Sequence, residues 1–261
     1  MNALSLKKMN RKNEILKSLS DIIKFYGMLD FKRLPINVIV KKDERPSDRP
    51  TKNEMMNELH HKIDGCTRCA LSKSRKNIVF GQGNIDARLM FIGNAPEAED
   101  DELGKQFVGA SGSLLTNLIN KLGLSRDDVY ITNIVKCRPP QDISPEENEI
   151  RECFQFLEKQ IEIIKPDCIM TLGNKATQTL LNTDEPITKL RGQFHLYKDI
   201  KVMPTFHPSH LLKKAQDKHL TWNDALKILS YLGIEVIGFK GIKEEDKEGK
   251  RKGKKEGKRD V

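Results

Sequence analysis

The fold is decided by a run in the middle of the chain, residues 129–181, which reads VYITNIVKCRPPQDISPEENEIRECFQFLEKQIEIIKPDCIMTLGNKATQTLL. The segments VYITNIVKC (129–137) and DCIMTLG (167–173) are short and apolar, which predicts buried strands. SPEENEIRECFQFLEKQIEIIK (144–165) and NKATQTLL (174–181) predict a long helix and a short helix. Strands that alternate with helices are typical of a parallel sheet covered on both faces.

The same alternation continues outward on both sides of this run. Further strands are predicted in RLMFIGNAP (88–96) and IKVMPTFHP (200–208), and further helices in MMNELHHKIDG (55–65), SLLTNLINKLGL (113–124) and HLTWNDALKILSYLG (219–233). In the long helix, Ser144 is the expected N-cap and Pro145 is expected in the first turn. We therefore predict the α/β class, a three-layer α/β/α architecture with a central, mainly parallel sheet of about four strands.

Three loops leave the carboxyl ends of these strands, where ligands bind in such sheets. They read GNAPEAEDDELGKQF (93–107), TNIVKCRPP (132–140) and TFHPSHLL (205–212). We expect the functional residues to lie in these three loops.

The two ends of the chain differ from its centre. RKNEILKSLSDIIKFYGML (11–29) has apolar residues near helical spacing, and the charged segment after it contains prolines, so residues 1–50 are predicted to form a helical appendage and linker. Residues 240–261 consist largely of Lys, Arg, Glu, Asp and Gly and are predicted to be a disordered basic tail. The globular domain is expected to span residues 51–239.

Charge, hydropathy and cysteine content indicate the kind of partner and the cellular location to expect. The net charge of +9 and the pI of about 9.2 favour polyanionic partners, nucleic acid first. Without an apolar run of about twenty residues, we expect no membrane span, and the charged N-terminus has no apolar segment after it that would indicate a signal peptide. Five cysteines, with one CxxC pair, are typical of a reducing compartment, so a cytoplasmic location is predicted.

Four of the cysteines form two widely separated pairs. Cys66 and Cys69 belong to CTRC, and Cys137 and Cys153 bracket a proline-containing loop. Thiolates in this arrangement predict a four-cysteine site for either an iron–sulfur cluster or zinc, with four unrelated buried thiols as the alternative. Cys168, inside an apolar strand, is expected to pack in the core.

Taken together, the loop motifs resemble those of the type-4 uracil-DNA glycosylases, the iron–sulfur branch of the uracil-DNA glycosylase superfamily. The family motifs GEAPGxxED, GxPFVGxAGxLL, NxxKCRPP and HPSxLL have their counterparts in GNAPEAEDDELGKQFVGASGSLL (93–115), NIVKCRPP (133–140) and HPSHLL (207–212), and the cysteines fall in the family's order. The resemblance implies a monofunctional, base-flipping enzyme that hydrolyses the N-glycosidic bond of uracil in single- or double-stranded DNA. It also implies a 4Fe–4S cluster on the four cysteines, and we expect a monomer.

The resemblance, with the chemistry of base removal, suggests roles for individual residues. His207 is expected to donate to uracil O2, where negative charge develops as the base leaves. The Asn133 amide suits the N3–H and O4 edge of uracil, and Phe107 suits the stacking wall. Gly93 and Ala95 belong to a loop whose backbone is expected to approach the base.

DNA contacts are predicted for Ser111, Ser209, Leu211 and Lys213. Leu211, four residues after His207, is expected to enter the duplex where the base has left, because an apolar side chain inserted there offsets lost stacking. Lys213 is expected to meet a phosphate.

The chain departs from the family in the first motif. Asn94 stands in place of the family's Glu, Glu97 in place of a Gly, and Gln106 in place of the Pro before Phe107. Asn94 is the expected water-orienting residue, since an amide hydrogen-bonds water but does not take its proton. An alternative function is therefore an iron–sulfur module that binds DNA or uracil with little or no turnover.

Overall fold

The structure, a computed structural model, describes residues 50–234. The predicted N-terminal appendage and the predicted basic tail lie outside the described residues. Within them, eight α-helices are formed: α1 (Lys52–Ile63), α2 (Ala98–Leu103), α3 (Ala110–Lys121), α4 (Glu147–Ile164), α5 (Asn174–Leu181), α6 (Ile187–Leu190), α7 (Pro208–Lys213) and α8 (Lys218–Leu232). Short 3₁₀ turns occupy Ala70–Lys73, Pro140–Asp142 and Ala215–Asp217.

The strands of residues 50–234 form one six-stranded sheet. They are β1 (Gln82–Gly83), β2 (Leu89–Gly93), β3 (Tyr130–Asn133), β4 (Cys168–Leu172), β5 (His195–Tyr197) and β6 (Ile200–Thr205), in the order β1-β3-β2-β4-β6-β5. The inner four are parallel, and β1 and β5 pair antiparallel at the edges. The four predicted strands are these inner ones. The expected number of about four was too low, because the edge strands of two and three residues are too short to show a period in the sequence.

The sheet lies between two helical layers, as predicted. Alternate side chains of β2 lie on opposite faces of the sheet. Met90 and Ile92 belong to one apolar cluster, and Leu89 and Phe91 belong to the other. Helices α1, α4 and α5 pack on the first face, and α3 and α8 on the second. Cys168 is fully buried in the second cluster, which confirms its core position.

The start of α4 differs from the prediction. Its N-cap is Glu146, not Ser144, and Pro145 lies before the helix. The Glu149 carboxylate accepts a hydrogen bond of 2.8 Å from the Glu146 backbone N–H, completing a capping box. The preference for serine at the N-cap was overridden by this reciprocal pair of acids at the start of the helix. No helix in residues 50–234 is long and apolar enough to cross a membrane.

Candidate active site

The inner parallel strands bring four chain segments to one edge of the sheet. Gly93 ends β2 and is in register with Asn133, which ends β3. Gly173 follows β4, and His207 comes two residues after β6. Beyond this edge is a cleft of about 450 Å³, lined by residues from three segments, 94–99, 139–145 and 207–213. The structure therefore brings together the three loops that the sequence singled out.

His207 lines this cleft and is the N-cap of α7. Its Nδ1 accepts a hydrogen bond of 3.2 Å from the Ser209 backbone N–H and lies 2.7 Å from Ser209 Oγ. Because a backbone N–H only donates, Nδ1 bears no proton, and the neutral ring carries its proton on Nε2. Burial lowers the pKa of His207 to about 4, so the ring is neutral at pH 7. Nε2 is buried and has no hydrogen-bond partner among the described residues.

The second buried atom without a partner is on Asn133. Its Nδ2 donates to Gln106 Oε1 at 2.8 Å, while its Oδ1 has no partner in the described part of the chain. Gly93 makes room for this oxygen: a Cβ at Gly93 would lie 2.3 Å from Asn133 Oδ1 and 2.6 Å from Cζ of Phe107. Only glycine allows so close an approach.

Phe107 lies close to both side chains that carry these unpaired atoms, Asn133 and His207. Its ring adjoins Gly93, and its centroid lies 5.9 Å from that of His207 with the planes inclined by 37°. Phe107 is 5% exposed and holds a φ of 51°, a conformation that is uncommon for an aromatic residue. Gly112 permits it, since a Cβ there would lie 1.7 Å from the Phe107 carbonyl oxygen. The backbone is thus shaped to hold this ring against Gly93 and near His207.

Asn94 flanks His207 across Gly173. A Cβ at Gly173 would lie 3.0 Å from His207 Cβ and 3.2 Å from Asn94 Nδ2. Asn94 Oδ1 accepts a hydrogen bond of 2.8 Å from the Ala176 backbone N–H in the first turn of α5. The amide oxygen is therefore engaged by a helix N-terminus, and the amino group faces the His207 side.

Glu97 lines the same cleft. Its Oε1 accepts a hydrogen bond of 2.9 Å from Ser111 Oγ, and it forms a capping box with Asp100 at the start of α2. Burial raises the pKa of Glu97, and the hydrogen bond from Ser111 opposes that rise. A carboxylate has about four acceptor sites, so Glu97 retains the capacity to bind a water molecule.

Asp100 and Asp101, both in α2, hold the surrounding loop in place and do not line the cleft. Asp100 accepts a hydrogen bond of 2.8 Å from the Val108 backbone N–H, and Asp101 accepts from the Lys76 and Asn77 backbone N–H groups. Both side chains are buried.

The residues predicted to contact DNA differ in their exposure to solvent. Ser209 and Lys213 line the cleft. Ser111 is 3% exposed with its hydroxyl on Glu97, and Leu211 is 4% exposed. The prediction that Leu211 enters the duplex does not fit this burial: the spacing from His207 does not reveal which leucine of α7 faces inward. The apolar side chain that α7 exposes is Leu212, at 48%.

The four predicted cysteine ligands converge although they are far apart in sequence. Cys66 and Cys69 contribute to the electrostatic environment of Cys137, and Cys69 and Cys137 to that of Cys153, whose pKa burial raises to about 12. Arg75 donates to Cys137 Sγ at 3.2 Å and to the Cys66 carbonyl oxygen at 2.6 Å. In residues 50–234 no three His, Cys, Asp or Glu side chains are arranged to hold a single metal ion.

Sequence reasoning missed three further polar residues that support the site: Gln106, Arg75 and Lys136. Lys136 is fully buried and donates to the Asn133 carbonyl oxygen and to Gln160 Oε1, both at 2.7 Å. Burial lowers its pKa to about 7. The replacement of the family's Pro by Gln106 was visible in the sequence, but its partners were not.

Comparison with known proteins agrees with this geometry. The family model described as the uracil DNA glycosylase superfamily matches residues 80–227. The chain belongs to this superfamily. It is 41% identical over 186 residues to the type-4 uracil-DNA glycosylase of Thermotoga maritima, covering 70% of this chain and 97% of that protein. It is 45% identical over 181 residues to the type-4 uracil-DNA glycosylase of Saccharolobus solfataricus, covering 66% of this chain and 84% of that protein. The type-4 resemblance of the motifs is confirmed.

Proposed function

We propose that this protein is a uracil-DNA glycosylase, a DNA-repair hydrolase that releases uracil and leaves an abasic site. One observation carries the proposal: next to the Phe107 ring are a buried acceptor and a buried donor without partners, Asn133 Oδ1 and His207 Nε2. Buried polar atoms are normally paired. An acceptor and a donor left free beside an aromatic ring match the N3–H and the O2 of uracil.

Recognition of the base follows from Asn133 and Phe107. A uracil flipped out of the DNA stacks on the Phe107 ring, and its N3–H donates to Asn133 Oδ1. Gln106 takes one of the two Nδ2 hydrogens of Asn133, and the other is free to donate to uracil O4. Backbone groups of Gly93 and Ala95 complete the wall.

Cleavage of the N-glycosidic bond leaves the electron pair on the base, with negative charge on O2. The His207 Nε2–H donates to that oxygen in the transition state. Because the ring is neutral, it stabilises the charge as a hydrogen-bond donor without giving up its proton. Ser209 holds the ring through Nδ1, which fixes the tautomer.

Water attacks the sugar carbon as the base departs. Asn94 presents its amino group beside His207 and orients this water, while its oxygen is held by Ala176. Glu97, in the same cleft, is the side chain that accepts the water proton. The carboxylate absent at position 94 is thereby supplied from position 97.

Cys66, Cys69, Cys137 and Cys153 are the residues that would hold a 4Fe–4S cluster. The convergence of four thiols from three chain segments, with the Arg75 guanidinium on Cys137 Sγ, fits an anionic cluster. Hydrolysis of a glycosidic bond requires no electron transfer, so a bound cluster would cross-link the chain segments that carry these cysteines, including the loop that follows Asn133.

The substrate is uracil in DNA, single- or double-stranded, and the protein acts as a monomer in the cytoplasm. Lys213 and Ser209 line the cleft where phosphates on either side of the flipped nucleotide would lie.

The test is base release by the anaerobically purified protein. Oligonucleotides with one uracil, as U:G, U:A or single strand, are incubated with enzyme in excess, and abasic sites are cleaved with alkali. Strand breaks at uracil are expected for the wild type, and a much slower reaction for His207→Ala. Salt-dependent DNA binding without base release by cluster-loaded protein would overturn the proposal in favour of a binding module.

A further inference from the structure

The Gln106 side chain joins two parts of the site that the sequence keeps apart. It is 1% exposed. Its Nε2 donates to the Val79 carbonyl oxygen at 2.9 Å, and its Oε1 accepts from Asn133 Nδ2 at 2.8 Å. The Val79 backbone N–H donates to the Lys136 carbonyl oxygen at 2.8 Å, and Lys136 Nζ donates to the Asn133 carbonyl oxygen at 2.7 Å. The four residues close a ring of hydrogen bonds.

This ring allows one orientation of each amide. A backbone carbonyl only accepts, so the nitrogen of Gln106 must face Val79 and its oxygen must face Asn133. That oxygen also only accepts, so the nitrogen of Asn133 must face Gln106. The oxygen of Asn133 is then left on the Gly93 side, where it has no partner.

We propose that Gln106 is a specificity-determining positioning residue that fixes the Asn133 amide for bases with an N3–H and thereby excludes cytosine. The inference rests on the proposed glycosylase function. Cytosine presents an acceptor at N3 and an amino group at C4, the reverse of uracil. To bind it, Asn133 must rotate its amide by half a turn, which places its oxygen against Gln106 Oε1. If the Gln106 amide also rotated, its Oε1 would face the Val79 carbonyl oxygen, and two acceptors would again oppose each other.

The residue is a departure of this chain from the family's sequence, in which a proline precedes the phenylalanine. Proline has neither the donor nor the acceptor of the glutamine side chain. The fixed orientation of Asn133 by a side chain at position 106 is therefore a property of this chain.

The experiment compares two substitutions of Gln106, one that leaves Asn133 an acceptor and one that does not. Gln106→Met removes both the donor and the acceptor at similar size. Gln106→Glu keeps an acceptor toward Asn133, and in its protonated form also a donor toward Val79. The exposed Gln193→Met is the matched control. Single-turnover release is measured on single-stranded oligonucleotides with one uracil or one cytosine, and unfolding is followed for each variant.

We expect wild type, Gln106→Glu and Gln193→Met to share a high ratio of uracil to cytosine release. For Gln106→Met the ratio should fall by about 10- to 100-fold, the range that corresponds to one unpaired buried polar group. A purely structural role would lower the stability of both Gln106 variants and leave the ratio unchanged. An active Gln106→Met protein with the wild-type ratio overturns the inference, and Gln106→Leu serves the same purpose if the Met variant does not fold. A wild-type protein that releases no uracil would instead refute the proposed function.

Discussion

His207 provides the sharpest prediction, because its protonation state follows from the structure. Substitution to Ala removes the Nε2–H that faces uracil O2. Removal of one such donor from a site that stabilises developing charge costs about 10²- to 10³-fold in rate, or about 2.7–4 kcal/mol. We expect this loss in the single-turnover rate of base release, with DNA affinity little changed, since the donor acts mainly in the transition state.

The pH dependence of the rate of base release and of the stability distinguishes a neutral His207 donor from a cationic one. With a pKa of about 4 in the folded protein, His207 keeps one protonation state from pH 8 down to about 5, so its contribution to the rate should be constant over that range. The unfolded chain has an ordinary histidine pKa of 6.5. The unfolded state therefore binds the proton first, and stability is lost as pH falls from about 6.5 to about 4. At about 1.4 kcal/mol per pKa unit, the loss approaches about 3 kcal/mol.

Two assays test this reasoning. Single-turnover release is measured for wild type and His207→Ala between pH 5 and 8, and the free energy of unfolding in urea at pH 7.5, 5.5 and 4.5. The wild type should lose more stability on acidification than the variant. A His207-dependent rate with a midpoint near pH 6.5, or equal acid sensitivity of the two proteins, would refute a neutral His207.

Three further changes give distinct expected outcomes. Glu97→Gln should slow base release by about 10²-fold, as expected for a lost general base, and formate should restore part of the activity of Glu97→Ala. Glu102→Gln, at an exposed acid of the same helix region, is the control, and a Glu97→Gln variant as fast as this control would exclude the role. Cys66→Ser should lower visible absorbance, soluble yield and the unfolding temperature more than the rate of the protein that folds, so a stable but inactive variant would contradict a structural cluster. Leu212→Ala should reduce release from U:G duplexes several-fold more than from single strands, because only a duplex loses stacking; equal effects would show that Leu212 does not enter the duplex.

The local sequence was sufficient for the inner strands and for most helices. Buried parallel strands are continuous apolar runs, and that pattern alone located β2, β3, β4 and β6. Prediction from the pattern failed where a strand is too short to show a period, or where an element depends on a contact with another residue. The edge strands β1 and β5 are paired through their backbones, and the N-cap of α4 depends on a reciprocal pair of acids rather than on the serine that precedes them.

The chemical types of the site residues were likewise determined by the sequence: an imidazole, an amide, an aromatic ring and four thiols, at spacings that match one family. Only the tertiary structure decided which polar atoms of these residues are left without a hydrogen-bond partner. The acceptor on Asn133 is free because Gln106 Oε1, itself oriented by the Val79 carbonyl oxygen, engages Asn133 Nδ2. The donor on His207 is free because the backbone N–H of Ser209 engages Nδ1. Likewise, whether Leu211 or Leu212 reaches the DNA depends on how α7 packs. Hydrogen-bond direction and burial are properties of neighbours brought together by folding, and no spacing along the chain encodes them directly.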